Sequence, residues 1–581
     1  MEDQNQKILL AFALAFGVLI LWRIFFLKPV PPAPKPSPAA PVAKVPTTPA
    51  PQPAAPTSGM PSTLAVQQGR HAEEIVVEGD LYRVTLSTEG AVVKSWVLKR
   101  YKDEKGNPLD VVNQAACDQL GYPGGLSLAD QALNQRLSAA LYVARSGEPP
   151  SGQARGTLQA PTELTFVYSD GQVEARKQFS FDRSYEIHVE ASVRQGQNYQ
   201  PIGVVWSGGF GDYSLPFKVR EAVAQGVYGN VGNITKVAQR KLSEERTIPG
   251  PMELAGLEDR YFADIFLPDS PETEFRLSRQ TWNPKDWSEK EPPKPLLAKL
   301  INPEPKPLAF RLFVGPKDLD VLRSLKPPLD GLVDFGWFTV VAKPLLVALD
   351  YIHDRWIHNY GWAIVILTVV INLALFPMKL KSIRSAQEMQ RVAPLVKEIQ
   401  DKYKNYKMND PRKQRMNEEM MKLYKEHGIN PLGGCLPMVI QLPFLYGFYR
   451  VLDLSIELRH APWLGCIRDL AMPDQCHLFG IPVPLLPTVM IVTMFILQKM
   501  TPVASADPAQ QRMMMFMPLI FGIMFYNFAA GLVLYWLTGN IVGILQQLAI
   551  NKWMAPPRGP RGETPIRHKL PVAKKAVSVR A

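Results

Sequence analysis

Five apolar segments, at 361–378, 436–454, 481–497, 513–528 and 532–550, lie near the end of this 581-residue chain. A block over 379–430, with thirteen Lys or Arg and seven acidic residues, separates the first segment from the second. That block must sit in water while its flanks prefer hydrocarbon, so the chain crosses an apolar phase more than once. A protein that only anchors itself needs one uniform apolar helix. These segments instead carry polar side chains and crowded methionines, a composition suited to handling other molecules inside a bilayer. As helices, 481–497 and 513–528 would be only about 24–26 Å long, short of a ~30 Å hydrocarbon core.

A sixth apolar run occupies residues 8–27, and Glu2 and Asp3 precede it against a single Lys7. That n-region, with no small-residue cleavage site after it, argues for an uncleaved anchor over 1–28 rather than a signal peptide. Thirteen prolines then fall within 29–61, and the stretch 29–62 is expected as an extended polyproline spacer. Basic residues set the orientation. The block 379–430 and the tail 552–581, which has eight Lys or Arg against one acid, are expected inside. The loop 455–480, with two basic residues against three acids, is expected outside. Six spans, both termini in the cytoplasm and residues 29–360 outside satisfy all the counts. The net charge of +12 is therefore localised by topology and gives no cause to expect recognition of a nucleic-acid sequence.

From 63 to 330 the pattern changes to short alternating runs. Leu81-Tyr82-Arg83-Val84-Thr85-Leu86-Ser87, Leu164-Thr165-Phe166-Val167-Tyr168 and Glu186-Ile187-His188-Val189-Glu190 alternate apolar and polar, with Gly, Pro and Asp clusters between such runs. Repeated short strands of this kind predict an all-β sandwich. His71 and His188 are its only histidines, and it carries no HExxH, GxSxG or phosphate-loop pattern. No catalytic or metal-binding residues and no cofactor are assigned, and the domain reads as structural or partner-binding. Residues 331–360 follow, with Trp337, Phe338, Leu345, Leu346, Leu349, Ile352 and Trp356 among charged positions. That stretch is expected as an amphipathic helix in the headgroup plane, or else packed on the β domain.

Within 379–430 two helices are expected. Met389, Val392, Val396, Ile399 and Tyr403 form a seam at 3-4 spacing, and Met416, Met420, Leu423 and Tyr424 form a second stripe after Asp410-Pro411. The stripes can zip into a hairpin, while Met416, Met420 and Met421 are candidates for receiving apolar substrate segments. The spans, with 431–551 closing the core, supply candidate groove residues: Thr368 and Asn372 four apart on one face, Gln441, Arg450, Met513, Met517 and Asn527. Arg450 lies near Asp453 and Glu457, and either pairing there or a role inside the cavity is open. Cys466 and Cys476 share an external loop, where a disulfide could persist; sequence leaves bonded and free thiols equally open.

Several runs resemble the YidC family of bacterial inner-membrane insertases, related to the mitochondrial oxidase-assembly and chloroplast Albino proteins. They are Asn430-Pro431-Leu432-Gly433-Gly434-Cys435-Leu436-Pro437, Gln441-Leu442-Pro443, Asp507-Pro508-Ala509-Gln510-Gln511, Met517-Pro518 and Gly531-Leu532-Val533-Leu534-Tyr535-Trp536. Leu312-Phe313-Val314-Gly315-Pro316 and Val333-Asp334-Phe335-Gly336-Trp337 are also similar to the end of the family's periplasmic domain. The resemblance implies a multi-domain membrane protein with six transmembrane α-helices: a five-helix insertase core and an N-terminal anchor. It further implies a large periplasmic all-β supersandwich, similar in fold to sugar mutarotases, and a cytoplasmic helical hairpin.

The implied function is insertion and chaperoning of nascent membrane proteins through a hydrophilic groove, alone or with the Sec translocon, with the ribosome met by the basic tail. One departure is notable. Many family members carry an arginine five residues before the proline ending the second span, and here that position, counted back from Pro377, is Asn372. Arg450 is therefore expected to supply the missing charge. A transporter or channel is the main rival reading, and a membrane-tethered sugar-processing enzyme a weaker one.

Overall fold

The computed structural model describes residues 64–147, 152–215, 217–285, 287, 291–404, 406, 410–428, 436–474, 476–478, 481–501 and 508–553, all within one unit, Pro61–Ala581. The expected anchor, the proline-rich spacer, the tail beyond residue 553 and the run 429–435 lie outside them.

The alternating runs do form strands. Thr162–Ser169, Val173–Phe181 and Glu186–Gln195 pair antiparallel, and Glu186–Gln195 then pairs Leu308–Pro316, with Val189 opposite Phe310. Through Phe262–Pro268, Leu254–Glu258 and Gln225–Asn230 this ladder grows into an eleven-stranded sheet, and two five-stranded sheets accompany it. Alternation puts Val173, Ala175, Phe179 and Phe181 on the buried face. Their burial joins that of Trp96, Trp206, Phe166 and Phe310 in one apolar core, as sheet-on-sheet packing requires. Three short helices, Gln114–Leu120, Gln131–Ser138 and Phe217–Val223, interrupt the β pattern.

Lys177 occupies a core-facing place in that same strand. Its ammonium donates to the carbonyls of Gly90 (2.7 Å), Ala91 (2.9 Å) and Gly124 (2.7 Å). Gly90 and Gly124 adopt positive φ, which turns carbonyls inward that the sheet cannot satisfy. Burial pushes the amine down to about 7. The histidines are peripheral: His188 is exposed, and His71 sits 2.8 Å from Glu73.

After the sandwich's last strand and the short helix Leu319–Ser324, eight longer helices follow among the described residues. They are α1 (Thr339–Arg355), α2 (Tyr360–Ala374), α3 (Phe376–Lys402), α4 (Pro411–Glu426), α5 (Leu436–Leu454), α6 (Leu485–Met500), α7 (Pro508–Phe525) and α8 (Ala530–Trp553). The amphipathic stretch forms α1: Leu345, Leu346, Leu349 and Ile352 are buried, and α1 packs on α2 and α5. Val340, Val347 and Tyr351 are the exposed apolar side chains of α1.

Helix α2 begins at Asn359, whose Oδ1 accepts from the Trp362 amide while its Nδ2 donates to Pro462 O. It stops at Leu375 because Pro377 has no amide proton to continue the ladder and suits the first turn of a new helix. The two helices meet at a bend of 56°.

Among the described residues, α8 is by length and composition the one single helix that could cross a membrane, and the bent pair α2 and Phe376–Met389 could do so as one span; α6 and Met515–Phe525 are apolar but shorter. At 16 residues α6 is roughly 24 Å long. The expected hairpin is zipped: Met389, Val392 and Val396 of α3 are buried against Met420, Leu423 and Tyr424 of α4.

Candidate functional site

The bundle is organised around α8, which packs on α2, α5 and α6 and buries Val533, Tyr535, Thr538, Asn540 and Gln547. Where it meets α2 a polar seam forms. Thr368 and Asn372 are 0% and 1% exposed. The Thr368 hydroxyl donates to Ile364 O (2.6 Å), and Asn372 Nδ2 donates to Thr368 O (2.8 Å), so both groups first satisfy their own helix.

That leaves Asn372 Oδ1 as an acceptor, and Lys379 takes it: Nζ donates at 2.6 Å. Seven residues are two helical turns, so the lysine returns over Asn372 once the bend at Pro377 tips α3 back. Gln546 of α8 donates to Asn372 O (3.2 Å), which fixes the seam from the other side. No carboxylate pairs with Lys379 among the described residues. An ammonium without a counterion, half-buried beside an apolar bundle, is costly in itself and favours an anionic visitor.

Two further polar pairs hold the neighbouring helices. Gln441 of α5 donates to Tyr535 OH (2.7 Å), and the Tyr535 ring stacks on Phe448 with centroids 4.4 Å apart. Asn540 donates to Thr493 Oγ1 of α6 at 3.3 Å. Close approach helps α6 and α7: a side chain on Gly522 would run into Ile491. Outward the character reverses. Leu485, Val489, Val492 and Ile496 form an exposed stripe on α6, and Leu519, Ile520 and Ile523 on α7 and Leu545 and Leu548 on α8 are exposed too.

The expected site residues therefore divide. Thr368 and Asn372 come together, and Gln441 joins α8 through Tyr535. Met517 is half-buried on α7 and Asn527 is exposed just beyond it. Met513 belongs to α7, with its side chain outside the described residues. On the hairpin Met416 is half-buried, Met420 packs in the seam, and Met421 is exposed.

Arg450 is apart from the cluster: its guanidinium lies 3.5 Å from Asp453 and donates to Asp334 O. Lys379 is the candidate group that sequence reading missed. Its signal was the seven-residue spacing from Asn372 across a proline, masked because Lys379 opens a strongly charged block. The loop after α5 is closed by a Cys466–Cys476 disulfide with Cα atoms 5.1 Å apart, and Asp474 accepts from the Leu486 amide at the start of α6 (2.7 Å).

A bundle with apolar side chains outward and amides, hydroxyls and an ammonium inward, joined to a large β-sandwich, is the build of a membrane protein with an extramembranous domain. The family models and the sequence relatives agree. Family models described as "60Kd inner membrane protein" and "YidC periplasmic domain" match residues 352–557 and 74–348. A protein of Syntrophus aciditrophicus named "Membrane protein insertase YidC" is 34% identical over 579 residues, 94% of this chain and 99% of the relative. Another of that name, from Citrifermentans bemidjiense, is 35% identical over 581 residues, 95% of this chain and 100% of the relative. A crystal structure described as an active YidC insertase with its first transmembrane domain resolved is 19% identical, covering 84% of this chain and 95% of its own, at a TM-score of 0.33. The chain belongs to the YidC family of inner-membrane proteins.

Proposed function

We infer that this chain is a membrane protein insertase. It moves transmembrane segments of nascent proteins from the cytoplasm into the inner membrane and assists their folding, alone or beside a Sec-type translocon. The observation that carries the mechanism is the Lys379–Asn372 contact at 2.6 Å inside an apolar bundle. A polar external segment of a substrate pays several kcal/mol for each backbone group left unsatisfied in hydrocarbon. A seam of amide and hydroxyl groups offers partners part-way across. An uncompensated ammonium attracts carboxylates to the same place.

Helices of about 24–27 Å thin the apolar layer that the segment must cross. The substrate's apolar helix then leaves into lipid past the exposed aliphatic faces of α6, α7 and α8. No covalent chemistry is needed. The topology in this reading has six spans, with both termini in the cytoplasm, the β-sandwich in the periplasm, the hairpin receiving substrate and the basic tail meeting the ribosome. Arg450, held by Asp453 and Asp334, serves to brace the external end of α5.

Reconstituted vesicles test this with two single-span substrates, one carrying an acidic external tail and one a neutral tail. Lys379→Gln should slow insertion of the acidic substrate ~10-fold, equivalent to about 1.4 kcal/mol of barrier. Lys379→Arg should restore it, and Arg450→Ala should leave it unchanged. Equal insertion of both substrates by Lys379→Gln overturns the role of the lysine. Solute flux with no insertion by the unaltered protein favours the transporter reading.

A further inference from the structure

Away from the bundle seam, three side chains from separate segments converge. Glu104 stands on the turn between strands Val92–Lys102 and Pro108–Asp110, His460 follows the turn at Ile456–Leu458, and Asp469 lies farther along the same loop. We propose that Glu104, His460 and Asp469 form a binding site for a divalent transition-metal ion of the zinc type, joining the β domain to the loop after α5.

The spacing is that of ligands around a centre. His460 Nε2 lies 3.3 Å from Glu104 Oε1 and 3.9 Å from Asp469 Oδ2, and all three atoms fall within 4.8 Å of one another. Two ligands each about 2.0–2.2 Å from a tetrahedral ion sit roughly 3.4 Å apart.

Asp469 supplies a second observation. Its Oδ1 accepts from the Ala471 amide at 2.7 Å, which orients the carboxylate, while Oδ2 is buried and finds no hydrogen-bond partner among the described residues. A buried oxygen left without a partner is costly, and an ion between the three groups would satisfy it. An outer hydrogen bond that fixes a ligating carboxylate is a recurrent part of built metal sites.

Charge points the same way. Two carboxylates against one imidazole leave a negative centre, and the neighbouring Arg459 is committed to Asp212, with side chains only 5% and 2% exposed. The backbone of Glu104 is fixed as well, its amide donating to Ser214 Oγ at 2.9 Å. One imidazole with two carboxylates is a donor set for zinc-type ions and leaves a position open to water, whereas calcium and magnesium prefer more oxygens. The group Cys466, Asp474 and Cys476 does not compete while its two sulfurs are bonded to each other.

Zinc titration of the full chain in detergent, tag-free and with the disulfide intact, tests the site by calorimetry and by counting metal after dialysis. The expected result is ~1 zinc per chain, with affinity at least ~10-fold weaker in His460→Ala and in Asp469→Asn. His427→Ala, on the hairpin, should bind as the unaltered chain does. Should either loop variant fail to fold, Glu104→Gln on its exposed turn serves instead: saturating zinc should raise the unfolding midpoint of the unaltered chain and not of this variant. Binding unchanged by these substitutions, or zinc uptake only after the disulfide is reduced, overturns the proposal.

Discussion

Glu457 is a residue whose surroundings tie the stability of this protein to pH. Its Oε2 is buried with no hydrogen-bond partner among the described residues. Desolvation, reinforced by the carboxylates of Asp350, Asp318 and Asp320, pushes its pKa from 4.5 up to about 8. The folded protein therefore holds a proton here that the unfolded chain releases near 4.5. Stability from this group is complete at low pH and falls as pH rises from about 4.5 through about 8. Glu457→Gln should flatten that decline and stabilise the protein by about 1–3 kcal/mol above pH 8 while changing little near pH 4.5. Thermal unfolding of the two proteins across this range measures it, and parallel pH profiles would show that Glu457 is already solvated. Sequence reading saw Glu457 only as a partner for Arg450, because desolvation is a property of the packed loop. Thr368 and Asn372 were legible because a spacing of four is fixed within one helix. The partner of Gln441, Tyr535, was not, since that pair depends on how two distant helices meet.

At the scale of elements, period and composition carried most of the information. Alternation located the strands around Tyr82, Phe166 and His188, and 3-4 spacing located the hairpin seam. Helix ends were less legible. Ile481 and Pro482 read as the start of a span yet pair with His477 and Leu478 in a small hairpin, so α6 starts at Leu485. Hydropathy registers apolar residues whatever their backbone does.

The seam of α3 and α4 holds the hairpin together through buried apolar contacts. Val396 is 2% exposed, and near the seam Lys402 and Tyr403 reach Glu419 at 2.9 and 2.8 Å. Val396→Asp places a carboxylate with no partner in the seam and should cost about 2–4 kcal/mol of hairpin stability. Met421→Asp should cost under about 0.5 kcal/mol, because that side chain is 48% exposed. Amide hydrogen exchange over 389–403 and 411–426 separates them. Equal acceleration by both variants would mean that the seam does not hold the hairpin.

For the whole molecule the question is how a β-sandwich is held on a helical bundle. An apolar interface alone would be slippery in direction, since hydrophobic contact has no preferred geometry. Two arginines supply direction: Arg459 pairs with Asp212, and Arg260 lies 3.6 Å from Asp453. Of these the Arg459–Asp212 pair is almost wholly buried, and Asp212 also orders Ser214, whose amide donates to its Oδ1 at 2.9 Å.

Removing one partner of a buried pair strands the other charge, at a cost of about 3–5 kcal/mol, whereas replacing both by apolar groups is often neutral. Arg459→Ala should therefore loosen the junction and speed amide exchange in 211–215 and 455–470, with strands Val173–Phe181 and Glu186–Gln195 left protected. The double variant Arg459→Met with Asp212→Leu should recover most of that protection. If the double variant exchanges as fast as Arg459→Ala, the pair contributes directional hydrogen bonding that apolar packing cannot replace. If Arg459→Ala changes nothing, the sandwich is held by its apolar contacts alone.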